Sequence, residues 1–114
     1  MVLNLNTGQV LIRKLRRADN FWRRLLGLLP LSSIPLSEGL MLTPCRGVHT
    51  FFMRFTIDVI YLDSSLRIIG AYENVKPWQV LPVVLDCRHV LELAAGRLAA
   101  TGTIAGHRLE FVEP

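Results

Sequence analysis

Two cysteines in 114 residues are too few to staple a domain, and Cys45 and Cys87 show no disulfide-framework spacing. No apolar run approaches the roughly 20 residues that cross a bilayer as a helix, so no membrane span is expected. The opening Met1-Val2-Leu3-Asn4 lacks the basic start and long apolar core of a secretory signal. These absences point to a reducing, cytoplasmic location. Ser/Gly/Pro-rich linkers, low-complexity tracts and internal repeats are also missing. The chain is 51% hydrophobic and only 19% charged, which excludes a mostly disordered protein. One domain over residues 1–114 is expected, because this length supplies a single core. There is no C-x-x-C knuckle and no zinc-finger, RNP or helix-turn-helix signature.

Acid is scarce at the start of the chain. Residues 1–30 hold Arg13, Lys14, Arg16, Arg17, Arg23 and Arg24 against Asp19 alone, so the net +4 is concentrated there and the remainder is close to −1. Such a cluster suits nucleic-acid phosphates or anionic lipid head groups. The plain alternative is a solvated face of a strand and helix.

What is present is mostly β. Val2–Leu5 and Gln9–Arg13 flank Asn6-Thr7-Gly8 as a hairpin. Asp19 caps a helix expected to run to Leu29, with Phe21, Trp22, Leu25, Leu28 and Leu29 as its apolar stripe and Pro30 as its stop. A loop over 31–38 leads to a short strand, Gly39–Leu42. Val48–Phe55 and Ile57–Leu62 are rich in aromatic and branched residues and read as strands. Asp63-Ser64-Ser65 turns the chain into Leu66–Tyr72, closing a hairpin. Val75–Leu85 contains Pro77 and Pro82 and reads as an ordered loop. Arg88–Leu93 is a strand, Ala94–Ala100 one or two helical turns, Gly102–Gly106 a turn and Arg108–Val112 a closing strand. One helix near the N-terminus and about seven strands predict a mainly β, small α+β domain, a compact β-sandwich or partly open barrel.

Gly27-Leu28-Leu29, Glu38-Gly39-Leu40 and Pro44-Cys45 lead into Val48-His49-Thr50-Phe51-Phe52-Met53-Arg54. Ile57-Asp58, Lys76-Pro77-Trp78, Leu91-Glu92-Leu93 and Ala95-Gly96 follow in order. On these residues the chain closely resembles the bacterial and archaeal family known as domain of unknown function 192, over about 15–112. The resemblance implies a β-rich, jelly-roll-like domain and brings no activity, substrate or cofactor. Many members carry a secretory or lipoprotein signal, which this sequence lacks, so an envelope role does not carry over. Members usually have Gly-Asp before the last strand. Here Gly106-His107 stands instead, so a role for that acid does not carry over either.

Several polar groups fall among apolar neighbours, where burial is costly unless they are paired. If 48–55 is extended, His49, Phe51, Met53 and Phe55 share one face, and Thr50, Phe52 and Arg54 the other. Asp58 shares a face with Ile60 and Leu62 and needs a partner, either Arg54 or backbone N–H groups. Glu92 faces away from Leu91 and Leu93 and, turned inward, could pair with Arg54. The plain alternative is that Arg54, Asp58 and Glu92 only fix strand register.

Cys45, His49 and Asp58 have the residue types of a thiol nucleophile, its base and an orienting acid. Cys45, His49, Cys87 and His89 are a possible zinc set, although the C-x-H pair is awkward. Trp78, in a proline-stiffened loop, is either a lid on the core or a stacking surface for a ligand. Met53 and Phe51 read as core. The leading expectation is a binding module without chemistry or cofactor, for a small molecule or protein partner, with a site around His49, Thr50, Arg54, Asp58, Trp78 and Glu92. The alternatives are a small hydrolase or transferase using Cys45 or His49, and nucleic-acid binding through residues 13–24.

Overall fold

A computed structural model of the chain describes residues 1–18 and 33–112. The helix expected over 19–29 lies outside the described residues. Eight strands are described: β1 (Val2–Asn4), β2 (Val10–Ile12), β3 (Lys14–Ala18), β4 (Glu38–Leu42), β5 (Ile57–Leu62), β6 (Ile68–Val75), β7 (His89–Ala94) and β8 (Leu109–Phe111). One short helix, α1 (Arg97–Thr101), precedes β8, where one or two turns were expected. They form a three-stranded sheet of order β2-β1-β8 and a five-stranded sheet of order β3-β4-β7-β5-β6. The expected mainly β architecture is what is observed, here as two sheets.

The central strands of the five-stranded sheet, β4, β7 and β5, are buried on both faces, which their sequence dictates. Every residue of β5, Ile-Asp-Val-Ile-Tyr-Leu, is buried. Successive side chains on a strand point to opposite faces. Accordingly Ile57, Val59 and Tyr61 enter one apolar cluster, with Leu40, Val75 and Val90. Ile60 and Leu62 enter the other, with Leu91, Leu93 and Met41. The second cluster is closed by the three-stranded sheet and by Leu98 of α1. The first is roofed by loop residues: Met53 and Cys87, with Cys45, Val48, Phe55, Leu81 and Val84 packed against them. Burying each Leu, Ile or Val side chain stabilises by roughly 1.5–3 kcal/mol. The two faces together supply most of the cohesion of a short-stranded fold.

Asp58 ties the layers together. Its Oδ1 accepts the Asn74 N–H at 2.9 Å and its Oδ2 accepts the Leu98 N–H at 2.9 Å, in the first turn of α1. Backbone N–H groups, rather than Arg54, are thus the partners this buried acid needed. Arg97 clamps the other side of the helix, donating from Nε to the Leu11 carbonyl at 3.0 Å and from Nη2 to that of Val10 at 2.8 Å. Among the described residues no helix is long and apolar enough to cross a membrane.

Candidate functional site

Two loops meet over the first cluster: 43–56, between β4 and β5, and 76–88, between β6 and β7. They run antiparallel as an irregular ribbon. Cys45 N–H donates to the Arg88 carbonyl at 3.0 Å, Val84 N–H to Arg46 at 2.9 Å, Leu81 N–H to Val48 at 3.0 Å and Thr50 N–H to Gln79 at 2.9 Å. Gly47 permits this closeness, since a Cβ there would stand 2.8 Å from the Pro82 carbonyl oxygen. The ribbon is pinned to the sheet by the Tyr61 hydroxyl, which donates to the Pro82 carbonyl at 2.7 Å. Burial pushes that hydroxyl up to about 12, so it remains a donor.

Thr50 is the knot. Its buried hydroxyl donates to the Lys76 carbonyl at 2.6 Å and accepts the Gln79 N–H at 2.9 Å. Its carbonyl accepts N–H groups from Met53 at 3.2 Å and Trp78 at 3.0 Å. This corrects the expected strand over 48–55: only His49 makes a bridge, to Val80, and Phe51-Phe52 is a turn. Aromatic residues carry the strand signal, but the Thr50 carbonyl is spent closing the turn, so the expected alternation of faces breaks after His49. Met53 is buried, whereas His49, expected on the same face, is exposed, and Thr50 and Phe52, expected together, are buried and exposed respectively.

The result is a chain of rings on the outside of the ribbon. His49 stacks on Phe51 with centroids 4.7 Å apart, Phe51 lies 5.8 Å from Trp78, and Trp78 meets Phe52 edge-on at 4.7 Å. Phe52 and Trp78 are 67% and 58% exposed, and both backbones are left-handed at φ +66°. Large side chains seldom adopt that conformation outside constrained or functional positions. Val80, Val83 and Leu85 extend the apolar surface, whereas Val48, Leu81 and Val84 pack inward on the core.

The other expected site residues are divided by the sheet. Register pairs Asp58 with Leu93 and Glu92 with Val59, so the two carboxylates occupy opposite faces. Arg54 is exposed and Glu92 is buried, and they form no ion pair. The expected Arg54–Asp58–Glu92 association is therefore not formed. Glu92 sits among Leu40, Val59, Val90 and Ala94, and burial pushes its carboxyl up to about 7. Thr50 and Asp58 spend their side chains on backbone partners. His49, Arg54 and Trp78 reach the surface.

Cys45 donates its thiol to the Gly47 carbonyl at 3.2 Å, and His49 Nδ1 accepts the Phe51 N–H at 3.2 Å. Asp58 is held by Asn74 and Leu98, so it does not orient His49 as a triad acid would. Cys87 donates to the His89 carbonyl at 3.4 Å, and His89 Nδ1 lies 2.7 Å from Thr43 Oγ1. Burial first, then the neighbouring Cys45, pushes the Cys87 thiol up to about 11. Burial, followed by the charges of Arg88 and Arg17, lowers the pKa of His89. Among the described residues no three His, Cys, Asp or Glu side chains gather as a metal set, so the four considered for zinc do not converge. A cavity of about 580 Å³ lined by Cys45, Arg46, Asp86, Cys87 and Arg88 opens at one end of the ribbon. Another of about 540 Å³, lined by Tyr72, Glu73, Lys76 and Gln79, lies near the rings.

Phe52, Val80 and Val83 were missed from the sequence, and Phe51 was read as core. The available signal was the Phe51-Phe52 pair itself, since adjacent large residues beside a buried Thr50 cannot all point inward.

The model of domain of unknown function 192 (DUF192), described as "Uncharacterized ACR", matches residues 2–111. A UPF0127 protein of Pyrococcus furiosus is 30% identical over 96% of the chain and 97% of its own length. Another from Pyrococcus horikoshii is 30% identical over 81% of the chain and 82% of its length. In fold, a protein of unknown function from Novosphingobium aromaticivorans superposes with a TM-score of 0.85 at 20% identity, over 96% of this chain and 82% of that one. A protein titled a putative transcription regulator, from Sinorhizobium meliloti, gives 0.73 at 23% identity, over 84% and 79%.

Proposed function

We propose, for a chain that belongs to the domain of unknown function 192 family and takes from it a fold but no activity, that it is a binding module. Its recognition surface is the outer side of the two-loop ribbon, formed by Phe51, Phe52, Trp78, Val80 and Val83 and flanked by His49 and Arg54. Thr50 supports this surface from within and Glu92 belongs to the layer beneath, while Asp58 lies on the opposite face of the sheet against α1. A reducing, cytoplasmic setting is part of this reading, since it would keep Cys45 and Cys87 as thiols.

One observation carries the reading: Phe52 and Trp78 hold large rings in water from a left-handed backbone. The conformation costs roughly 1–2 kcal/mol per residue, and exposure forgoes much of what burial would return. Stability alone does not account for that arrangement, whereas a rigid surface prepared for a partner does.

The test is a pair of urea denaturation curves. Trp78→Ala is expected to stay within about 1 kcal/mol of wild type, because only edge contacts are lost and the backbone strain is the same for either side chain. Thr50→Ala is expected to lose about 2 kcal/mol or more, since it removes a buried hydroxyl that serves both the Lys76 carbonyl and the Gln79 N–H. The opposite order would make Trp78 a core lid and end the proposal.

A further inference from the structure

We infer that the occupant of this surface is an anionic lipid bilayer, on which the chain sits peripherally; the inference rests on the recognition reading above. The outer side of the ribbon combines two aromatic rings with branched aliphatic groups. Phe52, Trp78, Val80, Val83 and Leu85 are all more than half exposed. A strip of nucleobases would use flat rings, but Val80, Val83 and Leu85 offer none. An acyl–headgroup boundary accepts both kinds: aliphatic tips below and indole at the interface.

Charge favours the same occupant. The two loops, 43–56 and 76–88, carry Arg46, Arg54, Lys76 and Arg88, all exposed, against one acid, Asp86. Glu73, also exposed, stands just before the second loop. Long basic side chains around an apolar tip can lay their stems on the lipid and place their charges among anionic head groups. A second copy of the chain would fit poorly, because a two-fold contact through this patch sets its cations against themselves. Thr50 and the Pro82–Tyr61 bond fix the ribbon before contact, so little ordering is needed on binding.

The experiment is co-sedimentation of the full chain with vesicles of phosphatidylcholine, alone or with about one quarter phosphatidylglycerol. Sedimentation with the anionic vesicles is expected, weakened by added salt and at least about tenfold weaker with neutral ones. Trp78→Ala and Val83→Ser are each expected to weaken it about tenfold while remaining folded. Arg54→Ala/Lys76→Ala should remove the preference for anionic lipid. Tryptophan emission should shift to the blue on adding vesicles, and the shift should be absent in Trp78→Phe.

Failure to sediment, or wild-type sedimentation by both stable apolar variants, overturns the lipid assignment. So does binding to a thymidine oligonucleotide that Trp78→Ala abolishes, if vesicles leave the chain in solution; nucleic acid would then be the occupant. A Trp78→Ala chain that unfolds instead sinks the recognition reading itself, so the two failures are distinguishable.

Discussion

Glu92 should make the protein less stable as pH rises through neutrality, and Glu92→Gln should abolish that loss. The carboxyl lies in β7 between Leu40 of β4 and Val59 of β5, in a layer of aliphatic side chains. Burial raises its pKa from an ordinary 4.5 to about 7. Between those values the folded chain keeps a proton that the unfolded chain releases. Stability is therefore fully present below the unfolded value and falls as pH rises through the folded one. At about 1.4 kcal/mol per unit, the loss totals roughly 3 kcal/mol and levels off near pH 8.

His89 acts in the opposite direction. Its pKa is lowered in the folded state, so its contribution rises with pH until the ordinary value of 6.5 is passed. The two effects are separated by subtracting wild type from Glu92→Gln, which is near-isosteric and never ionises. Urea denaturation followed by circular dichroism, from about pH 5 to pH 8.5, gives the difference. The variant should match wild type within about 1 kcal/mol at the acid end and exceed it by about 3 kcal/mol at the alkaline end. A difference that is flat with pH, or of opposite sign, would show that Glu92 ionises freely and is not enclosed as described.

Three further changes probe the frame. Asp58→Asn keeps one acceptor for two N–H donors, so thermal unfolding should report a loss of about 2–4 kcal/mol; under 1 kcal/mol would deny the link between β5, β6 and α1. Gly47→Ala forces the ribbon apart at the Pro82 carbonyl, with a cost of about 1–3 kcal/mol and faster hydrogen exchange at Leu81 and Val84; unchanged exchange would contradict the packing. Cys87, buried with its thiol pushed up to about 11, should resist iodoacetamide near pH 8 until the chain is unfolded, as peptide mass spectrometry would show; rapid labelling in the native state would refute the burial.

The strands that obey simple alternation were legible in the sequence. β5 announced its two faces through Ile57, Val59 and Tyr61 against Ile60 and Leu62, and Asp63-Ser64-Ser65 announced the turn after it. Of the loop expected over Val75–Leu85, residues 76–85 were legible because Pro77 and Pro82 lack the N–H of a central strand, whereas Val75 closes β6. The segment 48–55 was not legible. Its aromatic and branched residues have strand propensity, but Thr50 spends its hydroxyl on Lys76 and Gln79 and shares its carbonyl between Met53 and Trp78, and the partners 26 to 29 positions away are in no local pattern.

The same long-range register separates Asp58 from Glu92. From the sequence each is a lone acid between hydrophobes. Only the alignment of β5 on β7 puts one against α1 and the other under the loops. Each polar residue in an apolar run was visible in the sequence, while which of them share a face required the sheet.

The claim that Phe52 and Trp78 are displayed at the expense of local backbone strain is tested most directly by equilibrium urea denaturation of Phe52→Gly/Trp78→Gly. Glycine relieves the left-handed strain at both positions, which offsets the partial burial lost with the rings. The account predicts a folding free energy within about 1 kcal/mol of wild type, or above it. A loss of more than about 3 kcal/mol, typical of deleting core aromatics, would contradict it and return both rings to the core.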